Sequence, residues 1–304
     1  MNHIITPTSK KEFEEYYQLR WQVLRAPWQQ AKGSEQDELE QCSFHRAVIA
    51  ENGELLAIGR LHFAEQYVAQ VRYVAVNPNH QGKGLGKVLM HELQQVAQLY
   101  GATTIELNAR ENALAFYQSL GYENLGQSHV LYDEIVHYKM CKPITLVDNS
   151  LSATLEQTWH QTIPLSKAMN MRIAHFNQQQ LITSCDAAFN KNLHNTMFAG
   201  SIYTLATLTG WGWVYCQIAQ ANLNADIVLA DANIRYHQPV AGNAQGYTDT
   251  SLAALVVKEQ GQTLEQLMAD RGKAKFTIEV QIKCGDKVAA TFSGLYFAVA
   301  AKPH

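Results

Sequence analysis

From Asn190 to Gln220 the chain reads NKNLHNTMFAGSIYTLATLTGWGWVYCQIAQ, and after Lys191 no charged side chain follows until Asp226. An uncharged run of this length is enough to cross a bilayer. Its Thr, Ser, Gly, Asn and Gln content, set among amphipathic strands, points instead to a helix buried all round inside a folded domain. The front of the run, Asn192 to Gly200, is small and polar. Backbone amides at such a helix start can face a ligand oxygen.

The rest of the chain supports a reading without membrane or nucleic acid. Its 304 residues suit two domains. A hydrophobic fraction of 47% gives enough apolar side chains for two cores. A net charge of −3 offers no attraction to nucleic acid or to an anionic lipid surface. Five scattered cysteines at no zinc or redox spacing suit reduced thiols. The N-terminal stretch has no apolar signal core, so a cytoplasmic location is expected. The twelve histidines form no HExxH or related pair, and no metal is expected.

In the first half, Lys10 to Arg25 has helical apolar spacing. Strands are predicted at Arg46–Glu51 and Leu55–Phe63, joined at Asn52-Gly53, and again at Val68–Val76. A glycine-rich turn, Gln81-Gly-Lys-Gly-Leu-Gly86, then opens an amphipathic helix. Thr103–Asn108 is a further strand, and Asn112–Leu120 a short helix stopped by Gly121. A strand, a glycine turn and a helix start form an anion site, because the backbone approaches closely and the free amides point outward.

Two motifs sharpen this. Val74-x-Val76-x-Pro78-x-x-Gln81-x-x-Gly84-x-Gly86 resembles the acyl-CoA loop of the GNAT N-acetyltransferases. Asn112 through Phe116-Tyr117 to Gly121-Tyr122 resembles the second motif of that family. The resemblance implies that acetyl-CoA is the cofactor. Val74 and Val76 would present backbone groups to the pantetheine arm. Gln81, Gly82, Gly84 and Gly86 would hold the pyrophosphate, and Asn112 would touch the coenzyme. Tyr117 would protonate the leaving thiolate; the alternative is a buried aromatic. Glu106 could serve as the amine's base or be a solvated strand carboxylate.

In the second half a helix-like piece, Leu151–Trp159, lies in a boundary zone. Ala168–Phe176 and Gln180–Ala188 read as strands, followed by the long uncharged helix. Asp226–Tyr236, Gly246–Val257, Lys273–Lys283 and Lys287–Ala300 read as strands, with a short helix near Thr263–Ala269. Two strands, a long helix and then several antiparallel strands resemble the hot-dog fold of acyl-thioester enzymes. The expected class is therefore α+β, a GNAT fold followed by a hot-dog fold. Residues 1–142 would be the first domain, 143–164 a linker, and 165–304 the second domain. The full chain resembles bacterial YiiD-type fusions of these two modules. Hot-dog domains usually pair, so the resemblance also implies a homodimer.

Many hot-dog thioesterases carry N-x-H-G-x-x-x-G-G before the helix and an acid farther along it. Here the run is Asn192-Leu-His194-Asn195-Thr-Met-Phe-Ala199-Gly200, and Thr207 stands where the acid is expected. Hydrolysis of a thioester needs an activated water. Decarboxylation of a malonyl thioester needs an oxyanion site for the enolate and no acid. Asn195, with amides near Ala199 and Gly200, fits that need. Asn192 and His194 are further catalytic candidates, or a turn cap and a packed ring. Trp211, Trp213 and Tyr215 read as core or acyl-tunnel wall. The resemblance links this module to malonyl-acyl-carrier-protein decarboxylation for fatty-acid initiation. The rivals are a hydrolytic thioesterase using Asp231 or another acid off the helix, and a silent acyl-CoA-binding regulator. Acyl carrier protein or acyl-CoA would be the partner. Arg271, Lys273 and Lys275 form a basic dock or a solvated strand end.

Overall fold

The computed structural model describes residues 2–144, 150–177, 180–249 and 262–301. The chain divides into two compact units, Met1–Leu146 and Val147–His304. In the first, the elements are β1 (His3–Ile5), α1 (Lys10–Leu24), β2 (Phe44–Ile49), β3 (Leu55–Glu65), β4 (Val68–Val76), α2 (Leu85–Leu99), β5 (Thr104–Arg110), α3 (Leu114–Gln118), β6 (Glu123–Leu131) and β7 (Ile135–Pro143). Ser9 and Glu12 form a reciprocal capping box at the start of α1. α2 turns Leu85, Leu89, Met90, Leu93 and Val96 inward, against β3.

The sheet order is β1-β2-β3-β4-β5-β7-β6. Its middle opens. β4 and β5 run parallel and pair from Val68/Thr104 to Val71/Leu107. Tyr73 then takes a left-handed conformation, with φ of 57°. This is an uncommon state for an aromatic residue, and it marks a bulge. Beyond it β4 stays with β3 and β5 with β7, so facing backbone edges are left between them.

The second unit contains α4 (Ser150–Thr162), α5 (Pro164–Ala168), β8 (Arg172–Phe176), β9 (Gln180–Cys185), α6 (Ala199–Gln220), β10 (Ala225–Tyr236), β11 (Ala244–Asp249), α7 (Leu264–Arg271), β12 (Lys273–Cys284) and β13 (Lys287–Ala300). The antiparallel sheet runs β10-β13-β12-β11-β9-β8. α6 packs against five of those strands, and every residue from Gly200 to Ala219 is buried or half-buried. The helical part of the uncharged run thus lacks a wet face, as its composition predicts. Two glycines let it approach its neighbours. A Cβ on Gly210 would stand 2.5 Å from the Tyr296 hydroxyl, and one on Gly212 would stand 2.6 Å from the Trp159 ring.

Three boundaries differ from expectation. Within the expected linker 143–164, Ser150–Thr162 is not a spacer: it forms α4, whose Leu155 and Trp159 are fully buried in the second unit. Ala168 ends a short helix opened by Pro164, so the strand expected from Ala168 begins at Arg172. Asn190–Phe198 is a folded turn rather than the first part of the helix. Residues 250–257 of the strand expected at Gly246–Val257 lie outside the described residues.

Candidate functional site

The opening between β4 and β5 holds a cavity of about 820 Å³. Val74 and Val76 line it from β4, on the strand edge freed by the bulge. Gln81, Gly82, Gly84 and Gly86 line it from the turn into α2. Gly82 and Gly84 have φ of 75° and 77°, which glycine adopts without the steric penalty other residues carry. Gly84 caps α2 with no side-chain hydrogen bond, and the Lys87 amide turns back to the Gly84 carbonyl at 3.0 Å, so the Leu85 and Gly86 amides are left to an outside acceptor.

Asn112 and Tyr117 line the same cavity. The eight residues that the two motifs single out therefore meet in one place. Burial, with Tyr122 alongside, raises the Tyr117 pKa above the usual phenol range. The hydroxyl stays protonated at neutral pH and can donate to a departing sulfur. Glu106 is absent from the lining and is bound to Lys139 at 2.9 Å, so it stands as a strand carboxylate.

Among the lining residues that sequence reasoning missed are Arg25, Arg110, His129 and His137. His137 is the register partner of both Arg110 and His129 across β5, β7 and β6. Only the order β5-β7-β6 brings them together; no spacing along the chain encodes it.

In the second unit the turn before α6 is closed by Asn192. Its Oδ1 accepts from the backbone amides of His194 at 2.8 Å and Thr196 at 3.3 Å. Its Nδ2 donates to the Thr196 hydroxyl at 3.1 Å. Asn192 thus acts as a turn cap. His194 is exposed. Asn195 has φ of 56°, a conformation that asparagine tolerates better than most residues, which explains how it replaces a glycine. Asn195 is exposed in the single chain, so burial does not force a partner on its amide.

α6 begins at Ala199 with Gly200 next, and no side chain caps its first turn. The ring of Phe198 occupies the space a Cβ on Gly200 would need. Along the helix, the hydroxyls of Thr204 and Thr209 donate back to the carbonyls of Gly200 and Leu205. The Thr207 hydroxyl does not: it is buried without a partner. Trp213 is fully buried core, and Trp211 donates to the Ile227 carbonyl at 3.2 Å. Trp211 also stacks on Tyr215.

Residues 13–122 match the family described as "Acetyltransferase (GNAT) family", and residues 152–300 the family described as "Putative thioesterase (yiiD_Cterm)". The chain is 31% identical over 106 residues to YjcF of Bacillus subtilis, named an uncharacterised N-acetyltransferase, covering 35% of this chain and 74% of YjcF. This chain is a GNAT protein fused to a YiiD C-terminal, thioesterase-like domain. The GNAT half is also similar to YyaT of Bacillus subtilis, an uncharacterised protein, at 27% identity over 142 residues, covering 45% of this chain and 93% of YyaT. The thioesterase-like half is similar to a solved Shewanella oneidensis protein of the same description as its family. That match has 44% identity and a TM-score of 0.43, covering 49% of this chain and 97% of the other.

No helix among the described residues is long and apolar enough to cross a membrane. No group of three or more His, Cys, Asp or Glu is gathered for a metal among them.

Proposed function

We propose that the GNAT domain binds acetyl-CoA and transfers its acetyl group to an amine. The convergence of the eight motif residues on one cavity carries this reading. The pyrophosphate sits on the amides of the Gln81–Gly86 turn, the pantetheine arm runs along the β4 edge at Val74 and Val76, and Asn112 steadies it. Tyr117 donates to the thiolate. Calorimetric binding of acetyl-CoA to the full chain, and its loss in Gly84→Val, tests the assignment. Unchanged binding in that variant would refute it.

The second domain we read as a malonyl-thioester decarboxylase yielding an acetyl thioester for fatty-acid synthesis. α6 contains no acid, and at the position where hydrolases place one it has Thr207, with its buried, unpartnered hydroxyl. When the C–C bond breaks, carbon dioxide leaves and the electron pair moves onto the thioester oxygen. Asn195 and the amides near Ala199 and Gly200 are the donors for that oxyanion, and a solvent proton completes the acetyl group. A hydrolytic alternative needs an acid off the helix. Asp231 is exposed on the edge strand β10.

Asn195 is exposed in one chain, so an enclosed site needs a second surface. Leu193 is 97% exposed, and Phe198 and Val228 are also largely exposed. These favour a homodimer through the hot-dog domain. Arg271, Lys273 and Lys275 cluster where α7 runs into β12, and all three are exposed, matching an acidic carrier protein. Incubation with malonyl-carrier-protein, followed by product mass, tests the reading. Acetyl-carrier-protein lost in Asn195→Ala supports it. Free malonate would make the domain a thioesterase, and an unchanged ligand would make it a binding module.

A further inference from the structure

Around the Tyr73 bulge the wall of the first cavity is built from cations. Arg25 lies over the Tyr73 ring, 5.6 Å from its centroid. Arg25 Nη1 and Arg110 Nη2 both donate to the carbonyl of Leu24, so the two guanidiniums are adjacent. Among the described residues no carboxylate pairs with either, and none lines the cavity. Burial, and then the charge of Arg25, push the Arg110 pKa down. Neighbouring half-buried cations without a counterion are unfavourable unless something arrives to neutralise them.

His137 stands beside them. It is buried, and its Nδ1 lies 3.0 Å from the Ile135 carbonyl. A carbonyl only accepts, so Nδ1 carries the proton and Nε2 holds a free lone pair. His129 stacks on it with ring centroids 4.6 Å apart and planes 5° from parallel. Burial together with His129, Arg110 and Arg25 lowers the His137 pKa, which keeps the ring neutral at pH 7. A neutral imidazole with a fixed lone pair is a base.

We propose that the acceptor of the GNAT domain is an amino acid: Arg25 and Arg110 hold its carboxylate, and His137 Nε2 takes the proton of its ammonium group. This rests on the acetyl-transfer reading above. The free amine then attacks the thioester carbonyl. A C–N bond forms, the C–S bond breaks, and the electron pair leaves with sulfur. Tyr117 supplies the proton that makes coenzyme A thiol, and the amide nitrogen gives up its second proton to solvent. The products are an N-acetylamino acid and coenzyme A.

The test uses the full chain with acetyl-CoA and a panel of amino acids, each beside its carboxamide, following thiol release and product mass. Losing a charge-assisted pair predicts a preference of about tenfold to hundredfold in kcat/KM for the free acid. Arg110→Gln and Arg25→Gln should erase that preference by raising the acceptor KM, with the KM for acetyl-CoA unchanged. Arg110→Lys should restore part of it, and melting curves report whether each variant folds. Amides acetylated as well as acids would overturn the proposal and leave acetyl transfer standing. So would a raised KM for acetyl-CoA in Arg110→Gln, because the arginines would then hold a coenzyme phosphate. Acetyl-CoA binding without turnover of any panel member rules out the amino-acid class. Failure to bind acetyl-CoA rules out the coenzyme reading itself.

Discussion

Arg25 Nη1 and Arg110 Nη2 each lie 3.3 Å from the same oxygen, the carbonyl of Leu24. One carbonyl cannot neutralise two guanidiniums. Their joint field falls on His137, the register partner of Arg110, and this gives a pH prediction. A histidine near positive charge is harder to protonate. Removing one charge in Arg110→Gln should raise the His137 pKa toward the ordinary value near 6.5. Protonation disables the base, so the acid limb of the acetylation rate should move to higher pH. His129 and Arg25 also lower this pKa and remain in the variant, so the shift should be partial. A pH profile of kcat/KM measures it, and a limb that does not move would exclude His137 as the base.

Gly84→Ala tests the coenzyme turn. A Cβ there meets nothing within 4 Å, but φ is 77°, so the cost is backbone strain of about 1 kcal/mol or more. If the turn relaxes, its amides lose their aim. The KM for acetyl-CoA should rise about fivefold or more, while the decarboxylation proposed for the second domain is unchanged. Steady-state kinetics at both sites provide the comparison.

Thr207 gives opposite signs for stability and activity. Its hydroxyl is buried without a partner, and replacing such a group by a methyl removes an unmet polar atom. Thr207→Val should therefore melt at the same temperature or higher. If the hydroxyl serves the thioester, the same variant should lose decarboxylation by about tenfold or more. Thr207→Asp should melt lower, because it places an unpaired charge inside the sheet. A Val variant with full activity would remove Thr207 from the site.

The first unit should weaken in mild acid. Burial lowers the pKa of both His45 and His62 to about 4, against about 6.5 for an unfolded histidine. Between those values the unfolded chain binds more protons, so stability is full above about 6.5 and is lost as pH falls toward 4. His62→Gln should flatten part of that decline. Chemical denaturation at pH 7, 6 and 5 would record it, and parallel curves for the two proteins would contradict it.

Much of this was legible in the sequence because short-range chemistry encodes it. Val68–Val76 is a strand with the bounds its alternation predicts. The Gln81–Gly86 turn announces itself by glycines that need positive φ. The uncharged run is readable because a helix surrounded by a sheet tolerates no ion. Long-range pairing was not legible. β6 and β7 went unrecognised, and Glu123–Val130 is exposed throughout, so β6 lacks the apolar alternation that marks a strand. With those strands unseen, the row of Arg110, His137 and His129 could not be foreseen. The left-handed φ of 56° at Asn195 was not legible either, because a turn of this kind takes any residue that tolerates positive φ.

The packing of α4 has a practical side for anyone dividing the gene. Trp159 fills the notch that Gly212 leaves along α6, and Leu155 lies beside it at zero exposure. A fragment begun at residue 165 would expose that notch and forfeit about 3–5 kcal/mol for the tryptophan alone. Such a truncation would read in an assay as an inactive catalyst when it is an incomplete fold. A clone of the second domain should therefore begin ahead of Ser150, so that α4 is kept whole.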